Sequence, residues 1–388
     1  MRGTWNTDTD GGALADCVQA SRLLGGDPSL VLHGGGNSSA KDWDAIYVKA
    51  SGHDMGTIGP DGFAPLDRSA LHVLLERSSL TDAEMVEGLR GALLDPASAN
   101  PSIETLLHNL LPFQSVLHTH ADAIVTLTNT RGGVATVTEA LGPDVLVLPY
   151  CMPGFDLARL VRDAWAVRGD RAVRGIVLAH HGLFTFADDA RTAYEEHVAL
   201  VGRAEAFVGD RTGVTFDDDP DEVRVSEADD TALRDLGDDV RAVTGSPVTL
   251  WALRSDQIST FLDRPDLDRI TQQGPSTLEH VIRTQRTPLL GTDVAGYVRA
   301  YTEYFERNRG RSAEPLTMLD PTPRVLLHRD LGLVTVGRTE PQAQVAQDIY
   351  RHTIRIITAA EALGGYVSIT EEQAFDIEYW ELEQAKLR

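Results

Sequence analysis

Residues 176–206 read IVLAHHGLFTFADDARTAYEEHVALVGRAEA. The apolar run 176–179 has the pattern of a strand buried on both faces. It meets His180-His181-Gly182, a tight turn, and a second strand is predicted at 183–186. Asp188 is placed to cap a long helix over 189–207, its side-chain oxygen accepting from the free N–H groups of the first turn. Strand, turn, strand and long helix in one short span indicate an α/β domain.

The same alternation extends upstream. A helix is predicted over 12–25, stopped at Gly25-Gly26, and an apolar strand over 29–33 leads into Gly34-Gly35-Gly36-Asn37-Ser38-Ser39. A strand at 46–49 ends at Ser51-Gly52. Helices follow at 69–77 and 82–94, then a loop at 96–101 and a helix from Ser102 to Leu111, closed by Pro112. A strand over 115–120, a helix over 121–129, a strand over 145–148 and a helix over 155–168 complete the set.

Downstream, residues 209–240 hold twelve acidic side chains and three Arg, centred on Asp217-Asp218-Asp219-Pro220. This reads as a solvated connector with partial helix. The expected organisation is a first domain over 1–208, an acidic linker over 209–244 and a second domain over 245–388, with a helix at 341–363. The second domain carries an echo of the first. Residues 326–337, LLHRDLGLVTVG, share Gly-Leu-x-Thr after an apolar strand with 176–187, and a long helix follows each. An internal duplication is the reading this supports. Aligning Gly182 with Gly332 puts Leu331 opposite His181, and 290–297 (LGTDVAGY) is nearest in context to 118–122. Neither carries a histidine.

Composition narrows the function. The length of 388 residues, at about 150 per domain, fits two or three domains. A formal charge of −23 and the lack of any Lys/Arg run make nucleic acid and anionic membrane poor partners. The chain lacks an apolar run of the roughly 18 residues needed to span a bilayer, and its N-terminus lacks the pattern of a signal peptide. Only Cys17 and Cys151 occur, not as a CxxC pair, so the cytoplasm is the expected location. Only Lys41, Lys49 and Lys386 are lysines, and two of them flank the glycine-rich loop.

Four short motifs carry chemistry. In His118-Thr119-His120, side chains two apart on a strand leave the same face, so both imidazoles can reach one ion. At His180-His181-Gly182, adjacent side chains point oppositely, so at most one joins that ion. Three imidazoles with an open fourth position make a catalytic metal site. Glu104, near the start of a helix, reads either as a partner of the helix dipole or as a general base beside the metal. The loop at 33–39 fails as a dinucleotide fingerprint, because Ser39 stands at the third glycine position. It reads instead as a backbone nest for an anion such as phosphate, with Asn37, Ser38 and Lys41 or Lys49 assisting, or as a plain hairpin turn.

The order Gly-Gly-x-Asn-Ser, Ala-Ser-Gly, Ser-x-Glu, His-x-His, His-His-Gly-Leu resembles the class II sugar-phosphate aldolase and adducin family, typified by fuculose-1-phosphate and rhamnulose-1-phosphate aldolases. The motifs cover about 12–208. Residues 209–388 resemble the extension in the bifunctional rhamnulose-1-phosphate aldolase/short-chain dehydrogenase group, through Glu-Ala-Leu-Gly-Gly-Tyr (361–366) and Glu-Tyr-Trp-x-Leu-Glu-Gln-Ala-Lys (378–386). The chain stops where that dehydrogenase would begin, so no NAD chemistry is expected.

The resemblance implies a three-layer α/β/α sandwich around a mixed, mostly antiparallel sheet, then a degenerate aldolase-like second domain. It implies a divalent metal, Zn²⁺ or another such as Mn²⁺, on His118, His120 and His181. Glu104 is the implied acid/base, and Gly36, Asn37, Ser51, Gly52 and Ser102 match phosphate-contacting positions. Where the small aldolases carry a second Ser or Thr before the glutamate, this chain has Ile103. The implied activity is cleavage of a ketose 1-phosphate to dihydroxyacetone phosphate and an aldehyde through an enediolate, in a homo-oligomer. Epimerase, dehydratase or decarboxylase chemistry on the same metal, and an adducin-like interaction role, are the alternatives.

Overall fold

A computed structural model describes residues 3–6, 11–168, 172–217, 221–312 and 314–384. Most of the expected Asp217–Pro220 centre and the last two residues of the 378–386 motif, with Lys386, lie outside the described residues. The chain divides into two compact units, Met1–Thr128 with Gly132–Asp210, and Asn129–Arg131 with Arg211–Arg388.

The first unit is built on seven strands: β1 (Asn37–Lys41), β2 (Ala45–Lys49), β3 (Phe63–Asp67), β4 (Ser115–Thr119), β5 (Val145–Leu148), β6 (Gly175–Leu178) and β7 (Gly182–Ala187). Their order across the sheet is β3-β2-β1-β4-β7-β6-β5. Only β5 and β6 run parallel; every other neighbour is antiparallel. Strands β1, β4, β6 and β7 are buried along their whole length. Both faces of the sheet are therefore covered, which makes the unit a three-layer α/β/α sandwich.

Two local expectations change. The segment 29–33 is a turn, not a strand, because Asp27 ties it down: its carboxylate accepts from Ser29 N–H and hydroxyl, and its carbonyl from Leu30 and Val31 N–H. The strand begins instead at Asn37, inside the stretch expected as loop. Lys41 is no phosphate ligand. It is buried on β1, and its ammonium donates to the carbonyls of Leu111 and Phe113, at 2.7 Å each. It thereby closes the end of the helix Thr105–Leu110, where a cation meets unpaired carbonyls.

The second unit holds β8 (Val223–Ser226), β9 (Thr249–Arg254), β10 (Leu289–Leu290), β11 (Val325–His328) and β12 (Gly332–Gly337), in the order β10-β11-β12-β9-β8. The expected acidic linker over 209–244 is corrected here. Residues 223–226 are the edge strand β8, and the helix Thr231–Thr244 buries Leu233, Leu236 and Val240 in the core of this unit. The acidic side chains of this helix lie on the opposite, solvated face, so net charge concealed an amphipathic element.

The register also corrects the expected repeat. Thr119 of β4 faces Leu183 of β7, and Leu253 of β9 faces Leu333 of β12. With Gly182 matched to Gly332, the counterpart of His118-Thr119-His120 is Ala252-Leu253-Arg254, not 290–297. Leu290 belongs to β10, which lies parallel to β11 as β5 lies parallel to β6.

Candidate metal centre

The backbone brings the three histidines together by two devices. His118 on β4 and His120 just beyond it share a face, while Thr119 points away, its hydroxyl 2.8 Å from His197 Nε2. In the turn between β6 and the neighbouring strand β7, His180 takes a left-handed φ of 57°, which delivers His181 to the same side. Gly182 permits the approach. A Cβ there would lie 2.2 Å from the Thr119 carbonyl and 3.0 Å from both His118 and His120 rings. No residue with a side chain fits between these strands.

His118 is fully buried, stacked on Phe184 with ring centroids 3.9 Å apart. Its Nδ1 lies 3.0 Å from the Leu183 carbonyl, which can only accept. Nδ1 therefore carries the proton and Nε2 presents a lone pair. His118 Nε2 and His120 Nε2 stand 2.9 Å apart. One ring nitrogen from each of His118, His120 and His181 falls in a cluster with all separations within 4.8 Å. His180 is outside it, its backbone N–H bonded to the Thr128 hydroxyl; burial pushes its imidazole pKa down to about 4.

Glu104 does not cap its helix: the carboxylate makes no hydrogen bond to the first turn. It points at the histidines instead. Oε2 is 3.6 Å from His118 Nε2, and Oε1 is 3.6 Å from His181 Nε2. Asn37 donates to Oε2 at 2.7 Å, while the buried Oε1 has no hydrogen-bond partner. An orphaned carboxylate oxygen facing imidazole lone pairs is the donor set a divalent cation satisfies. The residues fit the group.

The residues expected to contact phosphate are partly assembled. Gly36 has φ 64° and passes so close to the Met55 side chain and the His118 carbonyl that a Cβ would sit 2.7 Å from the latter. Asn37 donates to Ser102 Oγ at 3.2 Å. Ser51 and Gly52 follow β2 on the exposed side, with Gly52 at φ 85°, and the bridge from Ala50 to Pro101 aligns them with the 100–102 segment. Lys49 is buried, and its ammonium lies 3.4 Å from the Gly34 carbonyl. The backbone N–H groups of Ser51 and Ser102 are spent on the Asn100 and Lys49 carbonyls, so these serines have hydroxyls to offer, not amides.

Sequence reasoning missed His108. It lies behind Asn37, fully buried, and burial holds its pKa down at about 3. The available signal was spacing: Glu104 and His108 are i and i+4, one helical face.

Two family models match the two units in turn. Residues 15–208 match the Class II Aldolase and Adducin N-terminal domain, and residues 227–387 match the second domain of class II aldolases. A curated relative, "Uncharacterized oxidoreductase YuxG" of Bacillus subtilis (strain 168), is 27% identical over 407 residues, covering 96% of this chain. This chain spans 58% of that relative's length. Among solved structures, the N-terminal class II aldolase domain of a conserved Thermoplasma acidophilum protein is 38% identical, covering 54% of this chain and 99% of its own, with TM-score 0.49. L-fuculose-1-phosphate aldolase from Thermus thermophilus is 18% identical, covering 52% and 97%, with TM-score 0.36. The chain belongs to the class II aldolase and adducin family and carries both the N-terminal and the second domain of that family.

Proposed function

We propose that this chain is a metal-dependent class II aldolase that cleaves a ketose 1-phosphate to dihydroxyacetone phosphate and an aldehyde. The observation that carries it is the Glu104 carboxylate standing 3.6 Å from the ring nitrogens of both His118 and His181. His118, His120 and His181 hold the divalent cation, Zn²⁺ or Mn²⁺. When bound, such a cation supplies a Lewis acid for the negative charge that develops on the substrate's oxygens.

The chain's own residues do the rest. Gly36, Asn37, Ser51, Gly52 and Ser102 frame the phosphate site, with the serine hydroxyls and the glycine N–H groups as donors and the Asn37 side chain, engaged by Glu104, Ser102 and His108, as its wall; this orients the sugar toward the histidines. As the carbon–carbon bond breaks, its electron pair stays on the carbon of the phosphate-bearing fragment, while the hydroxyl of the other fragment gives up its proton to solvent and that fragment leaves as an aldehyde. Glu104 delivers the proton that forms the new C–H bond on that carbon, and removes it in the synthetic direction. No lysine is required: Lys41 is engaged with two carbonyls, and Lys49 stands behind the glycine loop.

The test is a panel of ketose 1-phosphates with metal-loaded protein, read as release of dihydroxyacetone phosphate. Glu104→Gln keeps the size but cannot carry the proton, so the rate should fall by about 10²–10⁴-fold. No cleavage of any member, or a full rate in the variant, would refute the reading.

A further inference from the structure

Behind the carboxylate runs a buried chain of side chains. Glu104 Oε2 faces Asn37 Nδ2 at 2.7 Å, Asn37 Oδ1 faces His108 Nε2 in a short contact, and His108 Nδ1 faces Ser39 Oγ at 2.8 Å. Asn37, His108 and Ser39 are all buried, so none can trade these partners for water.

Donor and acceptor roles follow by elimination. The carboxylate can only accept, so Asn37 must turn its NH₂ toward Glu104 and its carbonyl toward His108. That carbonyl needs a donor, so His108 carries its proton on Nε2. Nδ1 is then an acceptor, and the Ser39 hydroxyl supplies it. The opposite amide orientation would press Asn37 Oδ1 against the carboxylate, two acceptors in a dry site.

The helix that carries His108 is held in register from below. The Lys41 ammonium binds the carbonyls of Leu111 and Phe113, just after the helix end. Both Ser39 and Lys41 lie on β1, the strand that also begins with Asn37. One strand, one short helix and the residue just before that helix therefore supply every member of the chain.

We propose that His108 is a positioning residue: as the Nε2–H tautomer it locks the Asn37 amide in one orientation, and Asn37 in turn holds the Glu104 carboxylate against the histidine cluster. This rests on the proposed role of Glu104, but the amide orientation is measurable without any activity. In His108→Gln, the side-chain NH₂ reaches the place of Nε2 and can donate to Asn37. In His108→Asn, the amide reaches only the place of Nδ1 and leaves Asn37 without its donor.

The test compares these two variants in metal-free and metal-loaded protein. In the metal-free form, the side-chain amide NMR signals of Asn37, in protein labelled at Asn only and assigned by Asn37→Asp, should stay in place in His108→Gln and shift in His108→Asn. In the loaded form, His108→Asn should lower kcat by about 10–100-fold with KM nearly unchanged, and His108→Gln should restore most of it. Ser39→Ala, a gentler change that frees Nδ1, should give a smaller loss in the same direction and serves if His108→Asn does not fold. Equal losses in Gln and Asn variants, or Asn37 signals that do not move in His108→Asn or Ser39→Ala, would overturn the proposal. If the parent protein cleaves no sugar phosphate, the aldolase reading fails, while the Asn37 signals still decide the positioning role.

Discussion

The hairpin β6–β7 and the hairpin β11–β12 share a backbone plan and differ in chemistry. Each is followed by a 23-residue helix, Ala190–Thr212 and Glu340–Ala362. Around them, β1-β4-β7-β6-β5 and β8-β9-β12-β11-β10 repeat one order with one pattern of parallel and antiparallel pairs. The glycines match in detail: a Cβ on Gly182 would lie 2.2 Å from the Thr119 carbonyl, and one on Gly332 2.4 Å from the Leu253 carbonyl.

The side chains at the matched positions do not. Where the first unit has His118, His120 and His181, the second has Ala252, Arg254 and Leu331. Asn37, opposite His118, becomes Val225, opposite Ala252. Arg254 donates from Nε to the Leu331 carbonyl at 3.0 Å and from Nη2 to Asp230 at 2.7 Å. A guanidinium is always charged and only donates, so it takes the place of an imidazole ligand while excluding a cation. The comparison separates two kinds of constraint. Glycine answers to the close approach of two strands, in both units; the histidine cluster, which we propose holds the metal, stands in one.

The glycines offer the largest test of that separation. Gly182→Ala and Gly332→Ala should each cost about 1–3 kcal/mol by overpacking against backbone. Gly332, at φ 90°, should lose a further 1–3 kcal/mol or so for the strained conformation. Only Gly182→Ala should also lose metal, since its methyl meets the His118 and His120 rings. Denaturant melts with metal analysis check both, and equal metal loss in the two variants would break the comparison.

A smaller effect separates the buried carboxylates. Glu104 faces imidazoles, whereas Glu378 accepts from the Tyr301 hydroxyl at 2.9 Å in an aromatic cluster. Burial raises the Glu378 pKa from its ordinary 4.5 to about 7, with Tyr301, Tyr304 and Arg286 pulling weakly the other way. Its folded-state pKa lies above the unfolded one, so the fold holds a proton that the unfolded chain releases. Stability therefore falls as pH rises from 4.5 to about 7, and the cost is complete above that. Glu378→Gln should gain relative to the parent by up to about 3 kcal/mol at pH 8 and by little at pH 4. A stability difference that does not change with pH would remove this account of Glu378.

Much of this was legible in the sequence, for physical reasons. The strands at 145–148 and 176–179 announce themselves by continuous apolar character, and the second is buried on both faces. His118, His120 and His181 converge as strand periodicity and a tight turn require. Other elements were hidden. β1, NSSAK, is a fully buried central strand made of polar residues, because its side chains are spent on Ser21, His108, Glu104 and two carbonyls. β8 and the helix after it were masked by acidic residues on their solvated side. The line Ser39–His108–Asn37–Glu104 spans separations of 67 to 71 residues at its three contacts, which only the fold closes.

The most direct test of the account is metal stoichiometry of the full chain. Purified protein loaded with Zn²⁺ and freed of excess should carry one ion per chain. His118→Ala, His120→Ala and His181→Ala should each lose it while retaining the parent's circular dichroism, whereas His180→Ala, His328→Ala and His352→Ala should keep it. Two ions per chain, or a full equivalent in His181→Ala, would contradict the claim that one of two matched scaffolds holds the metal.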